Sequence, residues 1–171
     1  MRRYITLLLF IGLVWGQNCI ADDGTDGVEL WGECYSIANT TELHLGNNEL
    51  TGPIPPEIGN LTNLTYLGLY LNQLTGIISP EIGNLTNLTW LDLGNNGLIG
   101  SIPSEIGNLT NLTHLNLRYN QLNGEIPESI CDLNIEWSTS WSFNISNNQL
   151  CSSYPSCIED YVSNQDTSSC P

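Results

Sequence analysis

The sequence predicts an α/β repeat solenoid, a stack of short parallel strands with scant helix on the opposite wall. Three observations carry that reading. The phrase Glu-Ile-Gly-Asn-Leu-Thr-Asn-Leu-Thr recurs at 57–65, 81–89 and 105–113, a strict period of 24 residues. A fixed period of about 20 to 50 residues marks a repeat architecture. Between the copies leucines alternate, as in Leu91-Asp92-Leu93, the pattern of a strand with one buried face. The six cysteines avoid the repeats, with none between Cys34 and Cys131, as staples on two end caps would.

In chain order, Arg2 and Arg3 precede the apolar run Tyr4–Trp15. Residues 1–16 are therefore expected to be a secretory signal peptide, cut before Gln17. Residues 17–39 form the expected N-terminal cap. Repeats fill 40–150, with units starting at Thr40, Leu64, Leu88, Leu112 and, after a four-residue insertion, near Ser140. Residues 151–171 are the expected C-terminal cap and tail. In the third unit Leu91 and Leu93 face the core, and Asn96 can bond backbone groups where the chain turns. Gly100 relieves the next bend, Pro103 suits the start of a short helical turn, and Ile106 and Leu109 drive in from the opposite wall. One unit cannot bury its apolar side alone, but stacked units share a continuous core.

Without residues 1–16, 18 acidic residues face one basic residue, Arg118, giving a net charge of about −17 with the histidines neutral. Such a surface repels phosphate backbones and anionic membranes, which excludes nucleic acid and membrane as expected partners. The six cysteines Cys19, Cys34, Cys131, Cys151, Cys157 and Cys170 indicate disulfides in an oxidising compartment. Cys19 with Cys34 is the natural first pair; the other four leave three pairings open.

The frame L-x-x-L-x-L-x-x-N-x-L-x-G-x-I-P resembles the leucine-rich repeat, in the 24-residue class of plant extracellular receptors and polygalacturonase-inhibiting proteins, which also occurs in secreted bacterial proteins. The resemblance covers about Leu30 to Cys157. Leu30-Trp31-Gly32-Glu33-Cys34 is similar to the N-terminal cap of that class, and Leu150-Cys151 through Cys157 to its C-terminal cap. It implies a short right-handed arc of about five parallel strands on the concave face, scant 3₁₀ helix on the convex side and disulfide-stapled caps. Ser79 departs from the frame proline, which suggests a looser second turn.

Residues beside the strand leucines point away from the core onto the concave face. The first column reads Glu42, Tyr66, Trp90, His114, Ser142; the second His44, Gly68, Asp92, Asn116, Asn144. The third holds Gly46, Tyr70, Gly94, Arg118 and Ser146, and the fourth Asn47, Leu71, Asn95, Tyr119 and Asn147. The turn and helical-wall residues are copied verbatim, while these positions differ in almost every unit. Tyr66, Tyr70, Leu71, Trp90, Asp92, His114, Asn116, Arg118 and Tyr119 are the candidate partner-binding residues, because aromatic rings beside an arginine compose an interface hot spot. The expected function is that of a secreted, monomeric, non-catalytic binder of a protein or polysaccharide, without cofactor and without an appended kinase, membrane span or enzyme domain. His114, Asp92 and Ser142 carry the residue types of a hydrolytic site but no nucleophile-elbow sequence.

Three other motifs have competing uses. The threonine ladders Thr62, Thr86, Thr110 and Thr65, Thr89, Thr113 offer the alternative of a structural, adhesive or ice-contacting surface. Eight N-x-S/T sequons occur, at Asn39, Asn60, Asn63, Asn84, Asn87, Asn108, Asn111 and Asn144; Asn and Thr also suit the turn before each strand, and that structural use is the expectation. Asp22, Asp26 and Glu33 partly fit a calcium loop, although Gly24 stands where a ligand is needed; an acidic, flexible lead-in to the cap is the expectation there.

Overall fold

The structure, a computed structural model, describes residues 18–162, 164–168 and 170. The expected signal peptide lies outside the described residues.

Equal repeat length forces equal strands into register. The concave sheet contains β4 (Glu42–His44), β6 (Tyr66–Gly68), β8 (Trp90–Asp92), β10 (His114–Asn116) and β12 (Phe143–Asn144), all parallel and in the order of the repeats. Leu43, Leu67, Leu91, Leu115 and Phe143 pair along it and are buried. Phe143 stands 28 residues after Leu115, so the four-residue insertion is absorbed ahead of β12.

A second parallel sheet follows where the sequence reading placed only turns. It consists of β5 (Thr51–Pro53), β7 (Gln73–Gly76), β9 (Gly97–Gly100), β11 (Gln121–Gly124) and β13 (Gln149–Leu150). Its period-2 signal is three residues deep: Leu74 and Leu98 are buried while Thr75 and Ile99 face out. Gly52, Gly76, Gly100 and Gly124 hold φ between 75° and 80°, which an L side chain resists.

An asparagine ladder fixes the turn between the sheets. Asn96 Nδ2 donates to the carbonyls of Leu69 (3.0 Å) and Leu93 (3.1 Å), and its Oδ1 accepts the Leu74 amide (3.1 Å). Asn72, Asn120 and Asn148 repeat the pattern. Gln165 adds a further rung from the C-terminal segment, accepting the Leu150 amide and donating to the Ile145 carbonyl.

The opposite wall is four 3₁₀ turns, Pro56–Asn60, Pro80–Asn84, Ser104–Asn108 and Glu128–Asp132. Pro56 and Pro80 open their turns, whereas Pro103 immediately precedes its turn. The second turn is no looser than the others: Ser79 has φ −64° and ψ 136°, against −62° and 131° for Pro55. Pro80 supplies the restraint that Ser79 lacks. The turns stack so closely that a methyl group on Gly83 would lie 2.6 Å from the Glu105 carbonyl oxygen.

Three antiparallel strands, β1 (Asn18–Ile20), β2 (Asp26–Leu30) and β3 (Glu33–Ser36), build the N-terminal cap and bury Val28 and Leu30 at the head of the core. The disulfides are Cys19–Cys34, Cys131–Cys157 and Cys151–Cys170. The calcium candidates Asp22, Asp26 and Glu33 fall in a turn and in two strands of this cap. Asp26 opens β2 and Glu33 pairs with Leu30 at its far end, so strand pairing separates the ligands that a loop would gather. Among the described residues no three His, Cys, Asp or Glu side chains are grouped so as to hold a metal.

Candidate functional site

Register turns the outward strand positions into columns. Tyr66, Trp90 and His114 stand on adjacent rungs, and their rings stack. Tyr66 and Trp90 have centroids 5.8 Å apart with 23° between planes; Trp90 and His114 are 4.0 Å apart at 18°. Two further rings join from outside the expected column. His44, of the second column, stacks on Tyr66 at 4.3 Å and brings its Nε2 to 2.9 Å from a Glu42 carboxylate oxygen. Trp141 covers the far side of His114 at 4.2 Å.

Ser142, expected to end the first column, is buried with its hydroxyl against that of Thr139. The insertion is the cause: amides of Thr139 and Ser142 close turns on Glu136 and Thr139, and Trp141 takes the outward place. The result is a column of four stacked rings, His44, Tyr66, Trp90 and His114, closed by Trp141 tilted at 44° to His114. With neighbours on both sides, the three central rings turn edges rather than faces to solvent.

Hydrogen bonding sets the His114 tautomer. Thr113 Oγ1 gives its one proton to the Thr89 carbonyl (3.0 Å), so His114 Nδ1–H must donate to Thr113 Oγ1 (2.9 Å). Nε2 then carries a lone pair that is buried and unpartnered among the described residues. Burial pushes the His114 pKa down, because an imidazolium would lose its hydration there. His114, Asp92 and Ser142 are not joined as a hydrolytic relay, since His114 and Ser142 are each bonded to a threonine.

The other candidates surround the column. Asp92 and Asn116 each use Oδ1 to accept the amide two residues on, from Gly94 (2.9 Å) and Arg118 (3.2 Å), so part of their polarity shapes the strand ends. Tyr70 leans over Gly46, where an added methyl would meet its ring at 2.4 Å. Burial raises the Tyr66 pKa, and the neighbouring Tyr70, Asp92 and Glu42 add to it. Arg118 is the one lysine or arginine among the described residues; its guanidinium carbon lies 6.0 Å from the Tyr119 ring centroid.

Leu71 and Tyr119 carry a signal invisible in composition. Both have left-handed backbone, at φ 53° and 52°, where the sibling positions Asn47, Asn95 and Asn147 hold 56°, 58° and 56°. Asparagine tolerates that region, but bulky side chains there cost on the order of 1 kcal/mol or more. The two side chains remain 52% and 53% exposed, so packing does not offset the strain.

The threonine and asparagine ladders divide in two. Thr65, Thr89 and Thr113 donate to carbonyls one unit back. Asn63, Asn87 and Asn111 donate to Ala38, Thr62 and Thr86 carbonyls, each at 2.9 Å. The other ladders, Asn60, Asn84, Asn108 and Thr62, Thr86, Thr110, are exposed and make no side-chain hydrogen bond among the described residues. The expected structural use thus holds for the second sequon of each pair and not for the first.

The family description "Leucine rich repeat" matches residues 38–98, and "Leucine Rich repeats (2 copies)" matches residues 86–133. Among solved structures, the chain is similar to the Arabidopsis receptor kinase HAESA, solved with the peptide hormone IDA and the co-receptor SERK1. That match has 38% identity and a TM-score of 0.60 over 64% of this chain. A plant ice-binding protein matches at 36% identity and TM-score 0.56 over 64% of this chain, and the BIR2 ectodomain from Arabidopsis thaliana at 32% and 0.59 over 66%. The chain spans 18%, 34% and 57% of those three structures respectively. No curated protein matches the chain.

Proposed function

The chain belongs to the leucine-rich repeat family, and on that premise we propose that it is an extracellular, non-catalytic module that binds a protein partner through its concave face. One observation carries the reading: Leu71 and Tyr119 hold exposed, bulky side chains in a strained backbone that asparagine occupies in sibling units. Strain kept without a packing return points to use by something outside the molecule. The solved relatives add weight, since HAESA is complexed with a peptide hormone and a co-receptor. The disulfides agree with an extracellular location.

The stacked column favours protein over glycan. A sugar stacks on a ring face, and at the centre of the column the faces of Tyr66 and Trp90 lie against neighbouring rings, while His44 and Trp141 at its ends are largely exposed. Ring edges, indole N–H groups and the Arg118 guanidinium suit the carbonyls and carboxylates of a polypeptide.

The test is capture from the extracellular fluid of the source organism, with wild type beside Tyr66→Ala/Trp90→Ala/Tyr119→Ala and polysaccharides as competitors. A polypeptide held by the wild type alone, and not displaced by polysaccharide, supports the reading; equal capture by both sinks it. A second reading rests on the free ladder Thr62, Thr86, Thr110 with Asn60, Asn84, Asn108, an identical in-register array, and on the plant ice-binding relative. It predicts that Thr86→Lys abolishes thermal hysteresis while concave substitutions leave it intact.

A further inference from the structure

Each of three units carries two sequons three residues apart, and the fold uses them oppositely. In the second, both side chains are committed: Asn87 Nδ2 donates to the Thr62 carbonyl and Thr89 Oγ1 to the Thr65 carbonyl, each at 2.9 Å. Asn63 with Thr65, and Asn111 with Thr113, repeat this. In the first, Asn84 ends its 3₁₀ turn with an exposed amide, and the Thr86 side chain is exposed as well. Asn60 with Thr62 and Asn108 with Thr110 match it. A glycan on Nδ2 of the second asparagine would intrude on the bond that ties one unit to the next. On the first, it breaks nothing.

We propose that Asn60, Asn84 and Asn108, and not Asn63, Asn87 and Asn111, are the acceptor sites for N-linked glycans. The donor is a lipid-pyrophosphate-linked oligosaccharide in the secretory pathway. Asn Nδ2 bonds to the anomeric carbon, the bond from that carbon to the pyrophosphate oxygen breaks, and the lipid pyrophosphate leaves with the electron pair. The amide proton passes to solvent. The +2 threonine hydroxyl, free in these three sequons, is the other half of the acceptor signal. Adjacent acceptors sit one rung, about 5 Å, apart, so glycans crowd one another and occupancy at the three sites is partial. The glycans would coat the 3₁₀ wall and leave the aromatic column open. They would also cover Thr62, Thr86 and Thr110, so glycosylation and ice contact exclude each other on this wall.

Expressing the full chain in a eukaryotic secretory host, then removing glycans with peptide N-glycosidase in heavy-oxygen water and mapping the label by mass spectrometry, tests the assignment. Label on at least one of Asn60, Asn84 and Asn108, with Asn63, Asn87 and Asn111 unlabelled, is the expected result. The Asn60→Gln/Asn84→Gln/Asn108→Gln variant should lose that label and keep the wild-type Tm, whereas Asn87→Gln should keep the label and melt lower. Label on Asn63, Asn87 or Asn111, label confined to Asn39 or Asn144, or a secreted chain with no glycan overturns it. So does an Asn84→Gln variant that melts as low as Asn87→Gln.

Discussion

The two long faces of this solenoid were built under different rules. On the turn wall Glu-Ile-Gly-Asn-Leu-Thr-Asn-Leu-Thr is copied three times, and its residues reach into the next unit. Gly83 lets the Glu105 carbonyl approach, and Asn87 and Thr89 bond one unit back. On the concave face the outward residues change at nearly every rung, and there Leu71 and Tyr119 are held against their backbone preference. A position bonded across rungs has one solution that suits every unit, so it is copied. The outward concave positions are free of that constraint and vary from rung to rung.

The largest effect that would sharpen the contrast lies in the asparagine ladder. Asn120 is buried and donates to the Leu93 and Leu117 carbonyls while accepting the Leu98 amide. Asn120→Ala orphans the Leu98 amide and leaves the Leu93 and Leu117 carbonyls with one donor each, from Asn96 and Asn148; with the void it opens it should cost about 3 kcal/mol, read as a lower midpoint in guanidinium unfolding. Gly83→Ala comes next, at about 2 kcal/mol, because the methyl would meet backbone rather than a flexible side chain. A substitution at Gly83, Asn87 or Asn120, each held against a neighbouring unit, that leaves stability unchanged would break the comparison.

On the concave face the sign reverses. Leu71→Asn and Tyr119→Asn restore the sibling residue at φ 53° and 52°, and each should stabilise the fold by about 0.5–1 kcal/mol. The smallest effect is a slope. His114 has a folded pKa lowered by burial, so below about pH 6.5 the unfolded chain takes up a proton that the folded state resists. The stability is present above that value and is lost as pH falls through it. His114→Phe keeps a ring in the stack and should narrow the difference in Tm between pH 7.5 and pH 5.5; an unchanged difference would contradict the assignment.

Much of this architecture was legible beforehand because periodic residues announce periodic contacts. Leu91, Asn96, Gly100 and Ile106 do in the structure what their types and spacing imply. The second sheet was not legible, since a strand of three or four residues ending in a left-handed glycine reads as a turn. The pairing of Cys131 with Cys157 depends on how the C-terminal segment folds back, which no local spacing encodes. Of the candidate site, the column positions were readable, but stacking was not. It needs the His44 ring to cross from the second column, and it needs Trp141, which the insertion throws out of period while burying Ser142. The strain at Leu71 and Tyr119 is a property of φ and leaves no mark in composition.

The most direct test of the division between a fold-bearing wall and a partner-bearing face is the double variant Leu71→Asn/Tyr119→Asn, measured for Tm and for capture of an extracellular polypeptide beside the wild type. The account predicts opposite movements, a Tm at or above wild type with capture reduced at least about tenfold, the loss of about 1.4 kcal/mol of binding free energy. A lower Tm, or capture equal to wild type, would contradict it.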